Sequence, residues 1–389
     1  MWHPVVEMTD RRPQHEQPTP HRFARLGLLR DLDRPSDVFS NIGPNWYSSI
    51  MGTGIVGGAA ASLPIQFPGL RVAATVVWGL AAVLLIALTG AWAVHWTRHT
   101  ETAKAHAANP VMGQFWGAVA MGLMTVGAGA VLLGVPVLGA TAAVSVSWVL
   151  WSLGTVLGLV TTAWIPFLMI TRGRVERDTA FGGWLMPVVP PMVSAADGAL
   201  LLPHMAAGTG KETMLLGCYA MFGVSLFATL AILPQIWNRL VVHGTGPAAT
   251  VPTMWIVLGP LGQSVTAVNQ LGTQAHDVLP APYATGAAVF GLLYGVPTWG
   301  FAMIWLAMAA AVTLRTARRK MPFALTWWSF TFPVGTCVTG TSALAARIHL
   351  PGLAWWALGL YVVLVGAWII VAVRTAHGSL VRGHLLAPA

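Results

Sequence analysis

Long uncharged apolar stretches, separated by short polar segments, follow one another along most of this chain. Uncharged apolar stretches of about 20 residues are typical of membrane-spanning helices. Because the loops between the first and second, third and fourth, and last two stretches are very short, we expect the helices to pair as five hairpins. The pattern thus predicts an all-α integral membrane protein. Ten spans are predicted, at residues 45–63, 71–96, 112–134, 141–171, 184–206, 213–238, 251–275, 286–314, 323–346 and 352–373.

The composition agrees with a membrane protein. Hydrophobic residues make up 56% of the chain and charged residues only 8%, whereas soluble domains contain about 25% charged residues. Cys218 and Cys337 both fall within predicted spans, so that no disulfide framework is indicated. We expect a flexible cytosolic N-terminal tail at residues 1–43, a membrane domain at residues 44–374, and a cytosolic C-terminal tail at residues 375–389.

Positive charge is distributed unevenly between the two sides of the predicted membrane domain. Of the 21 Lys and Arg residues, all but Arg71, Lys211 and Arg347 fall on the side that holds both termini. An excess of Lys and Arg marks the cytosolic side of a membrane protein. We therefore expect both termini in the cytosol. The expected location is a bacterial-type inner (plasma) membrane. The net charge of +9 follows from this topology and from contact with anionic lipids, and it does not indicate nucleic-acid binding.

The odd-numbered spans share a Trp that is followed by a residue that weakens a helix. Irregular backbone and polar groups at membrane depth are tolerated only against protein or a water-filled cavity. The even spans are instead rich in Leu, Val, Ile and Trp, as lipid-facing helices are. Two interpretations stay open: small residues that allow close helix packing, or, as we favour, odd spans that line a central pathway. The pairs are Trp46 and Gly52, Trp116 and Gly122, Trp184 and Pro190, Trp255 and Pro260, and Trp327 and Pro333.

Polar or helix-breaking residues in the odd spans are the candidates for the lining of such a pathway. A neutral lining of hydroxyl and amide groups, with partial positive charge at broken helix ends, favours anions over cations. Asp197 is the one carboxylate clearly within a span. It is a candidate for proton coupling, although it would equally suit a hydrogen-bonded position near the outer mouth. The lining candidates are Thr53, Gly54, Gly122, Pro190, Pro191, Ser194, Pro260, Gln263, Ser264, Pro333 and Thr336.

A membrane haem or quinone oxidoreductase is the alternative from another functional class. Such a protein needs paired His residues inside apolar helices, whereas the His residues of this chain fall in tails, loops and helix ends. His95 and His99 could share one helix face and bind a metal, but a solvated basic turn is the favoured interpretation. No nucleophile–base pairing, Walker loop or GxGxxG context is present in the sequence. We predict no cofactor, no metal site and no enzymatic activity.

Three segments of the chain resemble one known family of membrane proteins. The segments are MGTGIVGGAAASLP at 51–64, GPLGQSVTAVNQLG at 259–272 and WWSFTFPVGTCVTGTSAL at 327–344. They are similar to the tellurite-resistance/dicarboxylate transporter family, and most of all to its malate and sulfite permease branch. The family also includes bacterial tellurite-resistance proteins and slow-type anion channels of plants. The likeness covers about residues 44–374.

The resemblance implies a fold, a gate and a function. The implied fold is a quasi-fivefold ring of hairpins, with odd helices lining a central pore and even helices outside, and the implied assembly is a homotrimer. The family's pore is plugged by a phenylalanine, which maps onto Phe332 by its position directly before the helix-breaking Pro333. We expect Pro333 to bend the ninth span and so to fix the direction of Phe332. The expected substrates are small anions, first C4-dicarboxylates such as malate or succinate, and alternatively sulfite, chloride or nitrate.

Overall fold

The chain folds into helices joined by short turns. A computed structural model describes residues 28–32, 35–172 and 178–387, and these ranges contain no β-strand. Their α-helices are α1 (Tyr47–Ser62), α2 (Leu70–Arg98), α3 (Thr100–Ala108), α4 (Trp116–Leu133), α5 (Val135–Leu138), α6 (Ala140–Arg172), α7 (Pro190–Leu201), α8 (Thr209–His243), α9 (Leu258–Gln274), α10 (Tyr283–Ala317), α11 (Phe332–Ile348) and α12 (Pro351–Ala376).

Five long helices, α2, α6, α8, α10 and α12, form the apolar outside of the molecule. They contain 26 to 35 residues, and at 1.5 Å per residue even the shortest reaches about 39 Å, more than the roughly 30 Å of a hydrocarbon core. Only 17–28% of the residues in their most apolar stretches are buried. Large side chains such as Ile86 and Phe227 are exposed. A continuous apolar surface of this kind is stable in lipid.

Five short helices, α1, α4, α7, α9 and α11, lie inside the long ones. They contain 12 to 18 residues, most of them buried. Each follows a 3₁₀ segment. Before α7, a turn at residues 186–189 separates the 3₁₀ segment from the helix. Proline in the first turn of α7, α9 and α11 loses no intrahelical hydrogen bond, because the N–H groups of that turn have no partner within the helix. The preceding 3₁₀ segments are Pro44–Trp46, Met112–Phe115, Gly182–Leu185, Ala248–Val257 and Leu325–Phe330.

Seven helices of the described ranges are long and apolar enough to cross a membrane. They are α2, α4, α6, α8, α9, α10 and α12, with flanking 3₁₀ or π-helical turns included for α4, α9 and α12. The predicted spans 45–63, 184–206 and 323–346 contain shorter α-helices, because each begins with 3₁₀ or turn residues. The predicted ring of ten spans in five hairpins therefore stays a prediction.

Each short helix packs against two other short helices. Helix α1 contacts α4 and α11, α7 contacts α4 and α9, and α9 contacts α11. Each short helix also packs against the long helix that follows it, in the pairs α1 with α2, α4 with α6, α7 with α8, α9 with α10, and α11 with α12. The two layers explain why the short helices tolerate polar side chains, since their faces meet protein on all sides.

The described residues near the N-terminus pack against the C-terminal segment. The Asp31 N–H donates to the carbonyl of Arg382 at 2.7 Å, beside two further bonds of the same kind. Apolar side chains from both segments form a small cluster of Leu32, Ile42, Trp46 and Leu386. The tail predicted at residues 1–43 falls mostly on residues 1–27, 33 and 34, which lie outside the described residues, as do residues 388–389 of the predicted C-terminal tail.

Candidate functional site

All five short helices line one cavity of about 80 Å³ in the interior of the molecule. Helix α9 contributes Gln263, Thr266 and Gln270, which follow one another at helical spacing, and α11 contributes Phe332 and Thr339. No Lys, Arg or His side chain is among the lining residues of this cavity. The other lining residues are Gly54, Ile55, Gly58 and Ser62 of α1, Thr125, Ala128, Gly129 and Leu132 of α4, and Val193, Ala196, Asp197 and Leu200 of α7.

Phe332 lies at one end of this cavity. It is the first residue of α11 and is 3% exposed, whereas Thr339 borders the cavity two turns further along the same helix. Pro333 is in the first turn of α11. It therefore begins a new helix after the 3₁₀ segment, and it does not bend a continuous span as expected. Directly before Phe332, the Thr331 hydroxyl donates to the Trp328 carbonyl at 2.7 Å and so ties the start of α11 to the 3₁₀ segment.

Three buried polar side chains of the cavity have oxygen atoms without a hydrogen-bond partner in the described part of the protein. They are Gln263 Oε1, Gln270 Oε1 and Asp197 Oδ2. A buried polar atom without a partner is destabilising by about 1–3 kcal/mol, so that three of them around one cavity indicate a site that is completed by water or by a ligand. Thr266 and Thr339 are linked instead, with their hydroxyl oxygens 2.7 Å apart. The cavity therefore combines free amide groups with a neutral hydroxyl pair.

Four of the predicted site residues border this cavity. They are Gly54, Asp197, Gln263 and Phe332.

Other predicted hydroxyl residues are bonded to neighbouring helices and do not border the cavity. Each has a partner within hydrogen-bond distance, so its polar group is satisfied by the fold. The pairs are Thr53 Oγ1 with Trp368 Nε1 (3.1 Å), Ser194 Oγ with Thr155 Oγ1 (2.7 Å), Ser264 Oγ with the Tyr294 hydroxyl (2.9 Å), and Thr336 Oγ1 with the Leu258 carbonyl (3.2 Å).

The remaining predicted residues shape the backbone. Pro190 and Pro191 begin α7, and Pro260 is in the first turn of α9 and borders a groove that faces α8 and α10. Gly122 is inside a continuous stretch of α4, next to α1. Gly52 likewise lies within α1. The two glycines that align with prolines in the Trp-based pattern therefore do not interrupt their helices, since glycine keeps its N–H group and proline does not.

Several lining residues were missed by the sequence reasoning. Gly58, Ser62 and Thr125 are small or hydroxyl residues, which also occur at ordinary packing contacts between helices. A helical spacing of three or four residues from Gly54 and Gln263 could have found the partners Gly58 and Ser62, and Thr266 and Gln270.

A second cavity, of about 500 Å³, adjoins the first one at the C-terminal ends of α9 and α11. The two cavities share Ser62, Gln270 and Thr339 in their linings. Arg347 borders this second cavity, which we call the vestibule. Since α11 rises 1.5 Å per residue, Arg347 lies about 22 Å beyond Phe332. The two cavities thus follow one another along α11, and Phe332 borders the first while Arg347 borders the second.

Comparison with known proteins decides the family of the chain. A family model described as "Voltage-dependent anion channel" (SLAC1) matches residues 41–376. The chain belongs to this family. Among its relatives is the sulfite efflux pump SSU1 of Trichophyton rubrum, 30% identical over 348 residues that cover 88% of this chain and 92% of the pump. The uncharacterized transporter MJ0576 of Methanocaldococcus jannaschii is 26% identical over 365 residues, which cover 92% of this chain and 100% of that protein. The malic acid transport protein of Schizosaccharomyces pombe is 21% identical over 356 residues, or 87% and 78% of the two chains.

Membership of the voltage-dependent anion channel family confirms the resemblance to the tellurite-resistance/dicarboxylate transporters that the sequence suggested. The chain is accordingly a multi-pass membrane protein, in a family of anion transporters and channels. The family does not decide the substrate, because the names of the relatives include both a sulfite pump and a malic acid transporter.

Three histidines of this anion channel family member cluster at the end of α2. The His95 ring stacks with those of His99 and His106, at centroid distances of 6.2 Å and 5.3 Å. His95 is 1% exposed and its Nδ1 lies 2.8 Å from the Phe39 carbonyl oxygen, so this is not the solvated turn that was expected. Burial, and secondly the proximity of His95, lower the pKa of His106. In the described residues no group of three or more His, Cys, Asp or Glu side chains is arranged to hold a metal ion.

Proposed function

We propose that this chain transports small inorganic oxyanions, sulfite and its protonated form first, through the cavity between the five short helices, with Phe332 as the gate. One observation carries the proposal: a single cavity has lining residues from all five short helices, contains no basic side chain, and ends at Phe332. Backbone that is broken at membrane depth usually borders a pathway. An apolar ring across such a pathway can gate it by excluding water.

We further propose that the five hairpins form a quasi-fivefold ring of ten spans around this cavity. The proposal is supported by the contacts of α1 with α4 and α11, of α7 with α4 and α9, and of α9 with α11, which together close a cycle. A cytosolic position of both termini is supported by the distribution of Lys and Arg. A bacterial-type inner membrane and a homotrimer are kept as proposals from the family resemblance.

A lining without basic side chains suits an anion that has to leave as readily as it enters. Amide and hydroxyl groups offer hydrogen bonds to an oxyanion without a fixed positive charge that would hold it. Gln263 and Gln270 make no hydrogen bond to the described part of the protein, so their amide groups are available for this role. Gln263 is only 5% exposed, so its amide group is largely shielded from bulk water.

Sulfite is favoured over the C4-dicarboxylates that we expected first. The sulfite pump relative is 30% identical to this chain and the malic acid transporter is 21% identical. Malate and succinate stay the second candidates, because the malic acid transporter matches 87% of this chain.

The substrate proposal is tested by flux into proteoliposomes with the purified wild-type protein. Sulfite, malate, succinate, chloride and nitrate are supplied singly at equal concentration. The proposal expects sulfite to move fastest. Malate faster than sulfite would overturn the sulfite assignment and favour the second candidate, and flux of none of the five anions would overturn the transport function itself.

Asp197 is proposed to bind the proton that accompanies the anion. Its Oδ2 is buried in the cavity wall and has no hydrogen-bond partner among the described residues. An ionised carboxylate without a partner is strongly destabilised in such a place. It would also repel an anion in the cavity, whereas the protonated carboxyl group can donate a hydrogen bond to it.

Asp197→Asn is expected to abolish accumulation of sulfite against its gradient under an imposed pH difference, while downhill flux stays within about twofold of the wild type. The amide keeps the size and neutrality of the protonated acid but cannot exchange a proton. Both quantities are measured in the same proteoliposomes, with and without the pH difference. The exposed Asp277→Asn is the matched control, expected to keep both activities. Equal loss of both activities in Asp197→Asn, or unchanged accumulation, would contradict proton coupling through this residue.

A further inference from the structure

Arg347 borders the vestibule and is the one Lys or Arg residue of the five short helices. Its Nη2 donates to the Asn269 carbonyl (2.8 Å) and to Thr273 Oγ1 (3.0 Å), and its Nε donates to Asn269 Oδ1 (3.3 Å). These bonds fix the guanidinium plane against α9. The remaining nitrogen, Nη1, has no hydrogen-bond partner among the described residues. A positioned guanidinium group with a free edge is well suited to bind an oxyanion.

Two further polar groups of the vestibule are without partners. Ser342 is 2% exposed, and its hydroxyl has no hydrogen bond in the described part of the chain. Gln270, which borders both cavities, has a buried amide oxygen without a partner and no other hydrogen bond there. Native proteins seldom leave buried polar groups unsatisfied unless a water or ligand completes them. No Asp or Glu side chain is among the residues that line this cavity.

We propose that the vestibule is an anion-binding site, in which Arg347, Ser342 and Gln270 take up a small oxyanion before it enters the narrow cavity. The inference rests on the proposed transport function and adds a second site to it, far from the Phe332 gate. In the vestibule the charge of Arg347 raises the local concentration of anions. Beyond Gln270 the lining contains no basic side chain, so that the anion is passed from a site with a positive charge to one without it.

A purely structural role for Arg347 is the competing explanation, because its bonds to Asn269 and Thr273 also tie α11 to α9. Ser342 separates the two explanations. Its hydroxyl bonds to no described group, and removing an unsatisfied buried hydroxyl, as alanine does, should leave stability unchanged or raise it. A Ser342→Ala protein that is as stable as the wild type yet binds anions less well can be explained only by a ligand at the vestibule.

The test compares the variants Arg347→Gln, Ser342→Ala and Arg71→Gln in proteoliposomes of one orientation, with sulfite supplied on the vestibule side. Arg71 is the matched control, because it is predicted on the same side, is exposed, and borders neither cavity. We expect the KM for sulfite to rise about tenfold in Arg347→Gln, the loss expected for one charge-assisted hydrogen bond. We expect a rise of about threefold in Ser342→Ala, corresponding to a neutral hydrogen bond. The maximal rate should change little in either variant, and Arg71→Gln should keep the wild-type KM.

The outcomes separate the vestibule from the transport function. A wild-type KM in the Ser342→Ala and Arg347→Gln proteins, with flux present, would overturn the vestibule site and leave the transport function intact. A wild-type protein without flux would overturn the transport function, and the vestibule with it. Should Arg347→Gln fail to fold, Ser342→Ala alone decides: a wild-type KM in that variant overturns the site, and a raised KM at unchanged thermal stability supports it.

Discussion

Phe332→Ala is expected to raise the rate of sulfite flux about tenfold, which corresponds to removing roughly 1.4 kcal/mol from the barrier to passage. The ring ends the cavity at the first turn of α11, directly after the 3₁₀ segment. Its removal leaves only a methyl group at the position of the proposed apolar barrier to water and ions. Because the vestibule and the neutral lining are untouched, the order of preference among anions should be kept while all rates rise.

Phe330→Ala is the control for this substitution. Phe330 is also buried, but it packs edge-to-face against Trp255 and Trp327, at centroid distances of 5.2 Å and 5.7 Å, and does not border the cavity. Its truncation should lower thermal stability without raising flux. Flux is followed by the loss of trapped sulfite from proteoliposomes. An equal rise in both variants would show general loosening of the helices, and a fall in Phe332→Ala would contradict the gate.

Gly262→Ala is expected to lower the free energy of unfolding by about 1–3 kcal/mol, the usual range for overpacking a close contact. A Cβ at this position would lie 2.5 Å from the Thr336 carbonyl carbon and 2.6 Å from the Cys337 nitrogen. Both are backbone atoms of α11, which cannot move aside as the end of a flexible side chain could. Helices α9 and α11 would have to separate, and with them Gln263 and Phe332 on the two walls of the cavity.

Gly259→Ala is the matched variant, one turn earlier on the same helix. A Cβ there meets no atom within 4 Å. Alanine also has the higher helix propensity, by about 1 kcal/mol, so this variant should be as stable as the wild type or more so. Thermal midpoints of both purified variants in detergent give the comparison. Equal midpoints would mean that α9 and α11 do not approach each other as closely as described.

Much of the two-layer organisation can be predicted from the sequence, because lipid-facing and protein-facing helices differ in composition. The long helices α2 and α12 are dominated by Leu, Val, Ile and Trp, and small and polar residues mark α1 and α9. The residues at which the short helices begin were harder to predict. Pro190 and Pro333 coincide with helix starts, but Gly52 and Gly122 do not, since glycine only permits a break that proline enforces.

The candidate site was predictable only in part, because the direction of a side chain is not given by its type. Gln263 borders the cavity while its neighbour Ser264 bonds to Tyr294 on the outer helix α10. Both are polar residues in a short apolar helix, and nothing in their chemistry separates them. Arg347 was assigned to one side of the membrane by charge counting, and its place beside the vestibule depends on the packing of α11 against α9.

Blocking the cavity from its wall tests most directly whether anions pass between the five short helices. Gly58 borders the cavity, and a Cβ there meets no atom within 4 Å, so Gly58→Phe can place a ring in the open space without displacing a neighbour. Gly90→Phe, on the exposed face of α2, is the matched control. Sulfite flux through the Gly58→Phe protein is predicted to fall to the level of protein-free liposomes, while the Gly90→Phe protein keeps the wild-type rate. Wild-type flux through a stably folded Gly58→Phe protein would contradict the route along this cavity.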